Sequence, residues 1–263
     1  MARKPTVTNP TDPVLWCKEA VARIEQKDPK GAIYCYQESL KIRPTVPDVW
    51  YNLGVLLEQT GEQTAAFGCY TKSAEMFPQD YRFPAERARL FAAGGKYLDA
   101  VIAVSDALAI NPHSSQLHAN KAGYLIPAGD AAGAIIAADA ALVIDPINAA
   151  AFANKANALI VLGKISEAEV VLREGRTAQP TDERIAKLLA NLLVRSEKFE
   201  EALALTDAVL EVLPNDDAVW SIRGAACAYL GRKDDAVSAF ERAMKINPKE
   251  KSYRSNRDAI KNS

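Results

Sequence analysis

Histidine is nearly absent from this chain, with two residues in 263, and aromatic residues make up only 7%. Cysteine is equally sparse. Cys17, Cys35, Cys69 and Cys227 lie far apart and form no C-x-x-C pair, so the pattern describes neither a zinc site nor a disulfide framework. Charge of one sign is missing too. The 32 basic residues balance 33 acidic ones to a net −1, which removes the bulk electrostatic case for binding nucleic acid or an anionic membrane. No apolar run approaches the roughly 20 residues that a bilayer-spanning helix needs. The opening residues, MARKPTVTNPTDP, carry a basic pair but no apolar core of a secretory signal. The cytoplasm is therefore the expected compartment, and free buried thiols the expected state of the cysteines.

Catalytic constellations are also lacking. The chain has no G-x-x-x-x-G-K-[ST], no H-E-x-x-H, no G-x-S-x-G, and no G-x-G-x-x-G after a strand. Gly129 to Gly133 (GDAAG) resembles a phosphate loop only superficially. His113 follows Pro112 in a turn, and His118 reads as a packing residue with no metal-ligating neighbours. No enzyme activity, cofactor or metal is expected. An apolar fraction of 49% with 25% charged residues still gives the chain enough material for a buried core.

What is present is a period. Prolines stand at 44, 78, 112, 146, 180, 214 and 248, each 34 residues after the last (78 − 44, 112 − 78 and onward). A fixed period of this size signals a solenoid. With each proline at position 32, the repeats begin at 13, 47, 81, 115, 149, 183 and 217. Position 20 is alanine in all seven: Ala32, Ala66, Ala100, Ala134, Ala168, Ala202 and Ala236. Position 8 is always alanine or glycine, and position 15 is Gly61, Gly95, Gly129, Gly163 and Gly231 in five repeats.

Each repeat therefore predicts a helix–turn–helix hairpin. Small residues at 8 and 20 let two helices cross closely. Glycine at 15 ends the first helix in a left-handed conformation, and proline at 32 stops the second. A hairpin of this size cannot bury a core alone and must stack on its neighbours. Pro127, near the end of the first helix of the fourth repeat, predicts a kink or an early stop there. Cys35 and Cys69 both fall at position 23. Equivalent positions of stacked hairpins lie about 10 Å apart, beyond the roughly 7 Å limit for a disulfide.

These residues resemble the tetratricopeptide repeat family, whose pattern is W-x2-L-G-x2-Y, then A-x3-F, then P. The second repeat carries it most fully, with Trp50, Leu53, Gly54, Ala66, Tyr70 and Pro78. The resemblance implies an all-α fold: a right-handed α-solenoid of seven TPR hairpins (13-46, 47-80, 81-114, 115-148, 149-182, 183-216, 217-250) plus a C-terminal capping helix over 251-263. A flexible tail is expected over 1-12. The first repeat departs from the pattern, with Glu19 and Arg23 where leucine and tyrosine are usual, which suits a terminal repeat with one face in water. The sixth has Ala186 and Glu197 in place of the aromatic and the turn glycine, a mark of lower local stability.

The resemblance also implies a binding surface. In this family the first helices line a concave groove. Asn52, Asn120 and Asn154 at position 6, with Asn157 and Asn191 at position 9, resemble an asparagine ladder that holds an extended peptide by its backbone. An amide both donates and accepts, so it pairs with any sequence. Gly123, Ile126 and Ile160 add small and apolar character suited to a helix or an apolar side chain. The family's carboxylate clamp is not supplied: repeats one to three place Cys17, Val21, Asn52, Arg82 and Glu86 at its positions. The expected function is a protein–protein interaction scaffold for a protein or peptide partner, with no nucleic acid and no membrane insertion. On the outer, convex side, Ile102, Ile136, Ala140, Val143 and Val170 occupy positions that are normally polar. Burial of this stripe within the chain, self-association into a homo-oligomer, and a second partner site are its three readings, and a self-assembling structural protein is the alternative function.

Overall fold

In the computed structural model, which describes residues 8–262, helices follow one another in pairs. The first helices are α1 (Pro13–Glu25), α3 (Pro47–Gln59), α5 (Arg82–Ala93), α7 (Ser115–Leu125), α9 (Ala149–Val161), α11 (Glu183–Arg195) and α13 (Asp217–Tyr229). Their partners are α2 (Pro29–Ile42), α4 (Gln63–Met76), α6 (Tyr97–Ile110), α8 (Ala131–Ile144), α10 (Ile165–Ala178), α12 (Phe199–Val212) and α14 (Lys233–Ile246). α15 (Lys251–Lys261) follows. Among the described residues there is no strand. The fold is an all-α solenoid. The tail over 1-12 lies, for residues 1–7, outside the described residues.

The helix boundaries follow from local chemistry. Asp12, Asp28, Ser114, Asp130, Asn148, Asp182 and Asp216 each accept a hydrogen bond from a backbone N–H of the first turn, satisfying donors that have no helical partner. Each of the seven periodic prolines stands two residues beyond the end of a second helix. The register also runs one step further toward the N-terminus: the Trp16 indole N–H donates to the Pro10 carbonyl at 2.9 Å. Trp50 does the same to Pro44 at 2.7 Å and Trp220 to Pro214 at 2.9 Å. His118 keeps the bond where tryptophan is missing, with Nε2 2.9 Å from the Pro112 carbonyl.

The crossing of the two helices is as tight as the small residues require. All seven position-20 alanines are fully buried, at 0% exposure. A Cβ added to Gly54 would sit 2.3 Å from the Tyr70 ring, and one on Gly224 would sit 3.0 Å from Phe240. The turn is closed by a bond from position 16 back to position 11, as in Lys96 N to Phe91 O and Lys164 N to Leu159 O, both 2.9 Å. Residues without glycine's freedom still take the left-handed turn: Lys27 has φ 58° and Glu197 φ 61°. The fourth hairpin differs. α7 stops at Leu125, and Ala128 N bonds back to Tyr124 O at 3.2 Å instead. Pro127 has no N–H for the helix and crowds the preceding turn.

Just after Pro127 the chain divides into two compact halves, Met1–Ala128 and Gly129–Ser263. In the N-terminal half one apolar cluster joins α1 to α5 through Trp16, Tyr36, Leu53, Leu57, Tyr70 and Phe83. In the C-terminal half another runs through Phe152, Leu159, Leu172, Ile185, Leu193 and Leu203. The first repeat corrects the expectation that its charged residues face water. Arg23 is 7% exposed, held by Glu19 at 2.8 Å and Asp28 at 2.6 Å. A Cβ on Gly31 would collide with this pair. A buried guanidinium is tolerated because both faces of its fork are paired.

At the other end α15 is fastened to α13. Tyr253 Oη donates to Asp217 Oδ2 at 2.8 Å and Asn247 Nδ2 donates to the same oxygen at 2.9 Å. These bonds, Asn247's first, hold the Asp217 carboxyl below its ordinary value.

Two predictions follow from these contacts. Glu197→Gly removes a left-handed non-glycine residue at a modest entropic cost and raises stability by about 1 kcal/mol, read as a higher urea midpoint at unchanged slope. For Asp217 the folded carboxyl titrates below the unfolded one, so its stabilisation is complete above the ordinary value of about 3.9 and is lost as pH falls through the lowered value. Amide protection of α15 therefore declines in acid, and Asp217→Asn, which cannot titrate, flattens that decline.

Candidate functional site

The proposed ladder residues fall in two groups, one in each half. In the N-terminal half Asn52 is exposed on α3, while Asn120 and Gly123 on α7 and Ile126 at its C-terminus are half-buried. The Asn120 carbonyl oxygen accepts from Gln116 Nε2 at 2.8 Å. In the C-terminal half Asn154, Asn157 and Ile160 are half-buried on α9, and Asn191 is exposed on α11, which contacts α9 directly. None of the five asparagines is buried.

The two halves fill these positions with different chemistry. In the N-terminal half a connected set of charges, invisible in the asparagine pattern, occupies the first helices. Tyr51 Oη donates to Glu86 at 3.0 Å, Arg89 Nε donates to Glu86 at 2.8 Å and also reaches Glu58, and Tyr70 Oη donates to Glu58 at 2.9 Å. Arg82 bridges Asp48 at 2.8 Å and Asp80 at 2.7 Å, and lies 5.2 Å from the Tyr51 ring centre. Its bond to Asp80 holds that carboxyl low, and burial with the Glu86 charge pushes the Tyr51 phenol up. The signal was present at positions 2, 6, 9 and 12 as alternating charge, but which acid meets which base depends on stacking.

In the C-terminal half Lys187 pairs with Asp216 at 2.8 Å and Arg184 approaches Asp182 at 3.7 Å. Leu188 on α11 and Ile222 on α13 stand at the same register position as Asn154 and are half-buried. The Asn157 and Asn191 amides make no hydrogen bond among the described residues.

On the second helices the apolar residues are in the open. Ile102 in the N-terminal half is 63% exposed. In the C-terminal half Ile136 is 72%, Val143 84% and Val170 56% exposed, with Ala140 half-buried between them. Burial within the chain is therefore not the explanation of this stripe.

The cysteines do not offer chemistry. All four are free, and burial pushes the Cys35 and Cys69 thiols up to about 11, far from thiolate at neutral pH. Among the described residues no group of three histidine, cysteine or carboxylate side chains could hold a metal, and no helix is long and apolar enough to cross a membrane.

Paired helices with a 34-residue period agree with what sequence comparison finds. Models described as tetratricopeptide repeat match residues 47–80, 125–192 and 187–251, and one described as TPR repeat matches 22–61. The chain is a tetratricopeptide repeat protein. No curated protein matches it. Among solved structures, a tetratricopeptide repeat protein from Parabacteroides merdae superposes with a TM-score of 0.74 at 16% identity, over 95% of this chain and 98% of that one. PilF of Pseudomonas aeruginosa gives 0.67 at 17% identity, over 81% and 97%. YrrB, described as a TPR protein with an unusual peptide-binding site, gives 0.54 at 18% identity, over 72% and 97%. At these identities the likeness is one of fold. The first helices of the two halves thus differ in degree: ion pairs of Arg82 and Arg89 with their acids around Tyr51 dominate the N-terminal set, and half-buried aliphatic side chains accompany the asparagines in the C-terminal set.

Proposed function

We propose that this tetratricopeptide repeat protein is a non-enzymatic, cytoplasmic interaction scaffold that holds a peptide or helical segment of a partner protein along the first helices of its C-terminal half. The observation that carries the reading is the pairing of unbonded amides with half-buried aliphatic side chains. Asn157 and Asn191 each offer a donor and an acceptor, and Ile160, Leu188 and Ile222, half-buried on the first helices α9, α11 and α13, offer apolar contact. Backbone pairing supplies affinity without demanding a sequence, and the aliphatic residues select what points inward. Peptide recognition by YrrB, a relative in fold, supports the class of ligand. Asn52, Asn120, Gly123 and Ile126 belong to the same reading as a second stretch of contact in the N-terminal half. Peptides selected from a displayed random library test the idea. Asn157→Ala with Asn191→Ala removes two hydrogen bonds to the peptide backbone, each worth about 1 kcal/mol, and weakens the selected peptides roughly tenfold or more with helical content unchanged. Equal affinity of the double variant sinks the ladder.

The exposed stripe of α8 and α10 favours a second reading, association of two copies through Ile136, Ala140, Val143 and Val170, since soluble monomers seldom leave such a patch uncovered. Ile136→Lys with Val143→Glu converts a dimer to a monomer in sedimentation velocity. A wild-type chain that is already monomeric at micromolar concentration removes this reading.

A further inference from the structure

The same position that carries Ile102, Ile136 and Val170 is occupied by Tyr34 in the first repeat and Gly68 in the second, and the difference has a local effect. Tyr34 lies edge-on to Trp16, with ring centres 5.9 Å apart and planes at 78°, and Trp16 is buried at 7% exposure. Trp50 is the equivalent tryptophan of the second repeat, 18 residues before Gly68 as Trp16 is before Tyr34. No side chain covers it from that position, and a Cβ built on Gly68 meets nothing within 4 Å. Trp50 remains half-buried, its indole fixed by the bond to Pro44.

A cavity of about 540 Å³ opens there, between α2, α3 and α4. Leu40, Leu53 and Leu57 form its apolar floor with Trp50 as one wall, and Lys41, Lys72 and Glu62 stand at its rim. Lys72 Nζ lies 5.3 Å from the Trp50 ring centre and has no carboxylate partner among the described residues. Lys41 is paired with Glu38 and is largely in solvent. The rim thus carries one cation without a carboxylate partner, Lys72, over an aromatic wall that lacks its aromatic neighbour.

We propose that this cavity is a docking pocket for an aromatic side chain of a partner protein, with an adjacent carboxylate on that partner meeting Lys72. The first repeat supplies the template: the incoming ring takes the place that Tyr34 takes against Trp16, edge to face, an arrangement worth more than its buried area alone. The volume lies within the range of ligand sites, and the lysine over the indole is a mobile, strongly hydrated group that can turn outward to pair with an anion. The pocket lies wholly in the N-terminal half on the second-helix side, so it is independent of the first-helix face and would give the scaffold a second point of attachment.

The test uses the full chain labelled with ¹⁵N and the three indole N–H resonances of Trp16, Trp50 and Trp220, assigned by Trp→Phe variants. Titration with N-acetyl-Phe-Asp-amide shifts Trp50 saturably and leaves Trp16 and Trp220 in place, and N-acetyl-Phe-Asn-amide binds about threefold more weakly, as expected for one exposed ion pair. Gly68→Tyr supplies the missing ring from within and abolishes the shift. The absence of a saturable Trp50 shift with the acidic peptide, or a shift that survives Gly68→Tyr in a folded protein, overturns the proposal. Should Gly68→Tyr not fold, Lys72→Glu decides: it reverses the preference toward N-acetyl-Phe-Lys-amide, and an unchanged preference for the acidic peptide overturns the proposal.

Discussion

Two helices of one hairpin meet at positions 8 and 20, where the space between backbones admits a hydrogen or a methyl group and nothing larger. The seven alanines at position 20 have no exposed surface, and the glycine at Gly54 leaves room for the Tyr70 ring with none to spare. The rest of each repeat depends on that contact. Helices this close need a short, sharply reversing turn, which explains the left-handed residue at position 15. Their other faces must find apolar neighbours on the adjoining hairpin, which explains clusters that run through several helices rather than one core per repeat.

Most of this architecture is legible in the sequence because a repeat prints the same steric demand seven times. A single alanine says little, whereas the same residue at one register position throughout identifies a close crossing. The features that escape the pattern are those where two residues compensate for each other. Glu19 and Arg23 look like a wet face when read singly. With Asp28 beside them they form a buried ion pair under a glycine that makes room for it. Lys27 and Glu197 show that a turn held by its closing bonds imposes a left-handed conformation on residues that do not favour it. The early end of α7 at Pro127 was legible because proline's missing donor acts locally.

The surfaces were less legible than the fold, for a physical reason. Whether a polar residue is available to a partner depends on whether a neighbour in space has already taken its bonds. Five asparagines share register positions, yet their surroundings differ. Around Tyr51, Arg89 takes Glu58 and Glu86 while Arg82 takes Asp48 and Asp80, so the charges of the N-terminal face are largely spent on holding it together. Asn157 and Asn191 keep their side-chain amides unbonded on helices that also carry Ile160 and Leu188 half-buried. A repeat sequence thus yields one scaffold with separately specialised stretches, since residues off the crossing drift without cost to the hairpin.

The ring hydrogen bonds described above have a mechanical consequence. Trp16, Trp50, His118 and Trp220 each tie the first turns of a hairpin to the carbonyl of a preceding proline, whereas the Pro180 carbonyl is taken by Arg176 of α10, on the near side of its joint. The joints at Pro78, Pro146 and Pro180 have Pro84, Phe152 and Ala186 in the ring position, none of which carries a side-chain donor. Under tension along the chain, a joint laced by a ring must break that neutral bond before its hairpins part, whereas these joints are spanned by ion pairs, Arg82 to Asp48 at Pro78, Lys155 to Asp139 at Pro146 and Arg173 to Glu201 at Pro180. Salt screens exposed ion pairs and leaves an indole-to-carbonyl bond largely untouched, so rising ionic strength would weaken these three joints selectively and the array would part there in blocks of hairpins.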